Sequence, residues 1–247
     1  MWTPAALASE ARFWQGPAWR AVEGQARVST MKVVDTLLEQ KLLEGVLDRS
    51  KPAYPPSCAG LHYLLATPFR YWPYPTSSRF RRANAVAGCF YGAATPETAI
   101  AEMAFYRWLF YAEAPGMRLP ANALEHTAFM VQVSATRSLD LTVPPLDRDD
   151  AKWTQPIDYS DCHDLADSAR RAEIEVIHYR SVRDPQRGMN LAVLTPAVFA
   201  SAPESPQTWR LFVASRAVQA FREMPPTSIE FTLEDWAADP RVAAAIT

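Results

Sequence analysis

Apolar residues recur at helical intervals between Trp19 and Ser50, at Val34, Leu37, Leu38, Leu42, Leu43 and Val46. This pattern predicts one long or two short amphipathic helices, with Ser29 or Thr30 as the N-cap. The following KPAYPPS stretch holds three prolines and must stop the helix, because proline removes a donor and clashes with the preceding turn. The break divides the chain into an N-terminal helical extension, residues 1–57, and a main body, residues 58–247.

Beyond the break the period changes. LHYLLATPFRYW reads as a strand ending near Pro68, and AGCFYGA as a second, shorter one. Thr95 followed by Pro96 is an N-cap with proline at the first helical position, where a missing N–H costs nothing, and TAIAEMAFYRWLFYAE continues as the helix. HTAFMVQVSA alternates as a half-buried strand, and SLDLTVPP is a strand cut off by Pro144 and Pro145. SDCHDLADSARRAEI is an amphipathic helix, IEVIHYRSV and NLAVLT are strands, and TWRLFVASRAVQAF is a late strand. Several strands are separated only by turns, which favours an α+β fold with a mixed or antiparallel sheet over a doubly wound one. The 8 glycines contain no GxG spacing, which excludes a Gly-rich phosphate cradle of the dinucleotide or P-loop type.

Composition narrows the function classes. With 25 Lys and Arg against 27 Asp and Glu, the net charge of −2 gives no global field for nucleic acid, so an anion site must come from local clustering. Three cysteines, Cys58, Cys89 and Cys162, form no CxxC pair, as expected of free thiols in a reducing compartment, and no structural zinc signature is present. The first residues lack a basic segment leading into an apolar one, and no apolar run approaches the roughly 18 residues a membrane span requires. These features predict a soluble, cytoplasmic protein.

Candidate chemistry gathers in residues 77–102. Glu102 sits among Ala99, Ile100, Met103, Phe105 and Tyr106, so its carboxylate must be paired or functional; the alternatives are a structural salt bridge and a catalytic role. Arg79, Arg81 and Arg82 precede the Phe90–Tyr91 strand, and guanidinium forks suit phosphate oxygens. Arg81 and Arg82 read as a solvated loop, whereas Arg79, between Ser78 and Phe80, is expected to point inward. Tyr91 either stacks on a planar ligand group or fills the core. Ser181 has no GxSxG context, and a hydrogen-bonding hydroxyl suits it better than a nucleophile. His62, His126, His163 and His178 have no metal-binding spacing, and no metal is expected.

Taken together, TPFRYW, SRF, FYGAATPETAIAE and YRSVRDP resemble the RES-domain family, named for arginine, glutamate and serine, which supplies toxins of bacterial toxin–antitoxin pairs. VEGQARVSTMKVVDTLLEQ, WTQPIDYSDCHDLADSAR and QTWRL look like the longer members of that family. The resemblance implies that Arg79 or Arg70 is the family arginine and that Tyr91, Glu102 and Ser181 complete the site. It implies an ADP-ribosyltransferase-like fold that binds NAD as substrate and breaks its nicotinamide–ribose bond, passing ADP-ribose to a protein, phosphate or water. Arginine would hold the pyrophosphate or nicotinamide-ribose end, Tyr91 would stack on nicotinamide, and Ser181 would orient a ribose or amide group. The implied partner is a helical, DNA-binding, Xre-like antitoxin, with no membrane and no direct nucleic-acid contact by this chain. The competing expectation is a non-catalytic binding module that acts through its helical extension.

Overall fold

The computed structural model describes residues 2–24 and 34–246. In chain order the elements are α1 (Pro4–Glu10), β1 (Arg12–Glu23), α2 (Leu37–Ser50), α3 (Tyr63–Ala66), β2 (Phe90–Ala93), α4 (Pro96–Glu113) and β3 (Leu124–Asp140). They continue with α5 (Asp150–Trp153), α6 (Ser160–Arg171), β4 (Val176–Arg180), β5 (Met189–Val193), β6 (Glu204–Val213), β7 (Ala217–Arg222), β8 (Thr227–Thr232) and α7 (Pro240–Ile246). The fold is α+β with a mixed sheet, in agreement with the sequence pattern. The strand order is β1-β2-β5-β4-β3-β6-β7-β8, and every neighbouring pair is antiparallel except β3 and β4.

The 17-residue β3 organises the sheet. One edge pairs with β1 from Ser138↔Arg12 to His126↔Glu23. The other edge is shared: its first half pairs with β6 and its last three residues with β4. Because β1 also meets β2 at Trp19↔Ala93, strands β1-β2-β5-β4-β3 close into a ring, and β6-β7-β8 continue outward from β3.

Four expectations are corrected. Residues 12–23 are strand, not helix, and belong to the main sheet rather than to a helical extension. Pro17 forbids a helix interior there, and β1 tolerates it because β2 pairs only at Trp19. The helix lies further on, at α2, where Thr36 Oγ1 accepts from Glu39 N–H while Glu39 Oε2 accepts from the N–H groups of Asp35 and Thr36. That reciprocal capping box sets its start; Ser29 and Thr30 lie outside the described residues. LHYLLATPFRYW is helical rather than extended, because His62 caps Leu64 N–H and the 3₁₀ turn Thr67–Phe69 extends α3 with Pro68 in a helix-start position. HTAFMVQVSA and the first three residues of SLDLTVPP merge into β3, the remainder of SLDLTVPP being turn, and TWRLFVASRAVQAF is two strands joined at Ala214, where Ala214 N–H bonds Ala217 O.

Helices pack on the sheet in separate layers. Helix α4 buries Ile100, Ala101, Ala104, Phe105 and Trp108 against Ala93, Ala128, Trp209, Leu211 and Trp236. Helix α6 buries Cys162, Leu165, Ala166 and Ala169 in a second cluster with Leu7, Phe80 and Ile177. Burying each large apolar side chain contributes about 1.5–3 kcal/mol. Residues of α4 and of the 76–81 segment line one cavity.

Candidate active site

A cavity of about 640 Å³ opens between β1, the 76–81 segment, β2, α4, Tyr159, β5 and α7, a size suited to a cofactor-sized ligand. Helix α4 enters it through the cap expected from sequence: Thr95 Oγ1 accepts from Thr98 N–H at 3.2 Å, and Pro96 follows. One turn past Thr98, Glu102 is half-buried and lines the cavity, while its neighbours Ala101, Ala104 and Phe105 are fully buried.

Glu102 is held by one oxygen. Its Oε1 accepts from Ser181 Oγ at 2.7 Å and from Asn190 Nδ2 at 2.6 Å. Ser181, 1% exposed, follows β4, and its Oγ accepts from the N–H groups of Arg183 at 3.1 Å and Asp184 at 3.0 Å. A hydroxyl has two lone pairs and one proton, so with both lone pairs occupied the proton must go to Glu102. Oε2 takes no hydrogen bond from the described residues.

The turn that presents Ser181 is tied back to α4. Asp184 accepts from Gln186 N–H and Gly188 N–H, and from Thr98 Oγ1 of α4 at 2.8 Å. Gly188 is required by close approach, since a Cβ there would lie 2.6 Å from Asp184 Oδ2.

Tyr91 lines the cavity from β2. Its hydroxyl bonds Ser78 Oγ at 2.9 Å and accepts from Phe80 N–H at 2.9 Å, and burial raises its pKa well above the usual phenol value. His163 of α6 donates from Nε2 to Ser78 O at 2.9 Å, fixing the same segment. Arg79 is 8% exposed and points inward; its Nη1 donates to the carbonyls of Trp153 at 2.7 Å and Gln155 at 2.9 Å, with the guanidinium 4.7 Å from the Tyr159 ring centre. Arg81 also lines the cavity, stacked 4.0 Å from the Tyr74 ring, whereas Arg82 is exposed and pairs with Asp164 and Asp167. Arg70 lies elsewhere: it donates to Pro52 O and stacks on Tyr54, and it does not line the cavity.

Three residues that the sequence did not single out complete the walls. Arg20 of β1 donates to Tyr91 O at 3.1 Å and stacks 4.8 Å from the Phe90 ring. Burial lowers its pKa to about 10, which still leaves it charged at neutral pH. Asn190, 2% exposed, is the one polar side chain buried in the apolar run of β5, a local exception that could have flagged it. Arg241 of α7 lines the cavity beside Arg183, which pairs with Asp239 at 2.8 Å. Arg20 carried no such signal, because its segment read as helix. Neither Arg20 nor Arg79 forms an ion pair among the described residues, so two cations face the cavity with only neutral partners.

Among the described residues no group of three His, Cys, Asp or Glu side chains could hold a metal. His62 caps α3, His163 supports Ser78, and burial lowers the pKa of both His126 and His178. Nor is any described helix long and apolar enough to cross a membrane.

The sequence matches a family model described as the RES domain over residues 53–214. No curated protein matches the chain. Among solved structures, a chain of the M. tuberculosis MbcT-MbcA toxin-antitoxin complex aligns with a TM-score of 0.46 and 12% identity, covering 83% of this chain and 91% of that one.

Proposed function

The chain belongs to the RES-domain family, and on that premise we propose that it binds NAD and cleaves the nicotinamide–ribose bond, as a toxin held inactive by a cognate antitoxin. The observation that carries the reading is the half-restrained Glu102 carboxylate in an arginine-lined cavity: Oε1 is taken by Ser181 and Asn190, and Oε2 is left for a ligand. As the bond from C1′ to the nicotinamide nitrogen breaks, its electron pair leaves with nicotinamide and positive charge develops on the ribose. A carboxylate accepting a ribose hydroxyl then binds more strongly in the transition state than in the ground state, which is the condition for acceleration.

Arg79, with Arg20 and Arg81, supplies the cationic wall for the pyrophosphate, and Tyr91 offers an aromatic face to nicotinamide. Ser181 acts through Glu102 as a hydrogen-bond donor. An acceptor oxygen from a protein, phosphate or water attacks C1′ and gives up its proton, completing the transfer. The partner is a helical, DNA-binding antitoxin of the Xre type, and the site of action is the cytoplasm. A second reading, a binding module without turnover, is favoured by one feature: α2 exposes Leu37, Leu38, Leu42 and Val46, each by more than half.

The test is to incubate the purified protein with NAD, alone, with inorganic phosphate and with lysate, and to identify products by mass spectrometry. Free nicotinamide is expected, together with ADP-ribose, its phosphorylated form or a mass-shifted protein that names the acceptor. Glu102→Ala should lower nicotinamide release at least about 100-fold. Full activity of a folded Glu102→Ala protein would overturn the reading, and no release by the wild type would leave the binding module.

A further inference from the structure

We infer that Asn190 is a positioning residue for Glu102: its side-chain amide fixes the carboxylate with one oxygen engaged and the other presented to the ligand. This assignment rests on the proposed NAD cleavage. Three observations carry it. Asn190 Nδ2 donates to Glu102 Oε1 at 2.6 Å, and Ser181 donates to the same oxygen, so the two donors together set the plane of the carboxylate. The opposite orientation of the amide would place Oδ1 against Oε1, two acceptors in contact, so the donor must face Glu102.

The amide also comes at a cost to the fold. Asn190 Oδ1 is buried without a hydrogen-bond partner among the described residues, and the residue sits in a strand whose neighbours Leu191, Ala192 and Val193 are all buried and apolar. An apolar side chain of the same size would avoid stranding an acceptor there. The one contact that an apolar replacement could not supply is the bond to Glu102. Strand pairing places the residue opposite Ala93 of β2 and Tyr179 of β4, so the side chain is fixed from both edges.

The test compares Asn190→Leu and Asn190→Asp with wild type in steady-state NAD turnover across pH. Leucine keeps the branching at Cγ, with slightly bulkier methyl ends, and removes the donor. It is expected to lower kcat about 10- to 100-fold with KM for NAD within about twofold, the size of one lost charge-assisted hydrogen bond acting in the transition state. Aspartate restores a donor only when protonated, so Asn190→Asp should regain activity relative to wild type as pH falls, and Asn190→Leu should not. The titratable neighbours are Glu102 on α4, Tyr91 on β2 and Tyr179 on β4; burial keeps both tyrosines neutral. A residue needed only for packing would lower stability in both variants without this pH-dependent recovery. Wild-type turnover with an equally active Asn190→Leu protein overturns the assignment alone. A wild type that turns over no NAD overturns the functional reading and this assignment with it.

Discussion

At the scale of single residues, the surroundings of Glu102 favour the proposed reactive carboxylate over a structural ion pair. Among the described residues no arginine pairs with it; its partners are a hydroxyl and an amide, which orient the carboxylate without a counter-charge. The apolar neighbours in sequence raised the question of the carboxylate's purpose, and Asn190 could have been flagged as a polar residue in an apolar run, but their contact emerged only from the fold, since it spans 88 positions. The same limit applies to Tyr91, whose aromatic ring was visible in sequence and whose hydroxyl partners were not. Tyr91→Phe should leave Phe80 N–H without its acceptor and cost about 1–3 kcal/mol, read as a lower urea midpoint. An unchanged midpoint would mean that the 78–80 segment does not depend on this hydroxyl. Arg79 was expected to point inward from its place between Ser78 and Phe80, whereas separating it from Arg70 needed the fold: each is buried, but only Arg79 lines the cavity.

At the scale of elements, strongly patterned segments were readable and ambiguous ones were decided by pairing. Helix α4 announced itself through Thr95, Pro96 and a long apolar run, and the structure places it at Pro96–Glu113. Strand β1 did not, because WRAVE fits either period and the choice is made by β3, more than 100 residues away. The last elements also gain their place from a distant partner. Asp239, fully buried, pairs with Arg183 at 2.8 Å and with Arg241, and Trp236 donates to Arg183 O, so the segment leading into α7 is fastened to the turn that carries Ser181. Asp239→Asn should leave the Arg183 cation, 2% exposed, without a counter-charge and cost about 3–5 kcal/mol. Intrinsic tryptophan fluorescence should report the loss as earlier urea unfolding; a midpoint equal to wild type would show the pair to be dispensable. Burial opposes ionisation of Asp239, but its bonds to Arg241 and the charge of Arg183 prevail and lower its pKa. Its contribution is therefore present above the ordinary carboxylate range and lost as pH falls below it.

At the scale of the whole molecule, the structural unit is larger than the segment that matches the family, residues 53–214. Strand β1 closes the ring and delivers Arg20 to the cavity, while β7, β8 and α7 bury the outer face of α4. A chain beginning at residue 53 should therefore fail to fold, with broad, poorly dispersed amide resonances; a cooperative, native-like spectrum would contradict this. Stability should also depend on pH through His178, whose pKa burial lowers to about 4 against about 6.5 when unfolded. Between these values the unfolded chain binds the extra proton, so stability falls as pH drops from about 6.5 to about 4, by up to about 3 kcal/mol. His178→Phe should flatten that part of the Tm profile, and an unaltered slope would assign it to other groups. The central claim, an NAD-cleaving carboxylate held by Ser181 and Asn190, is tested most directly by following free nicotinamide in a solution of NAD by proton NMR, with wild type and Glu102→Gln side by side. Steady release by the wild type is expected, with loss of about 100-fold or more in the folded variant. Equal release by the two proteins, or none by either, would contradict it.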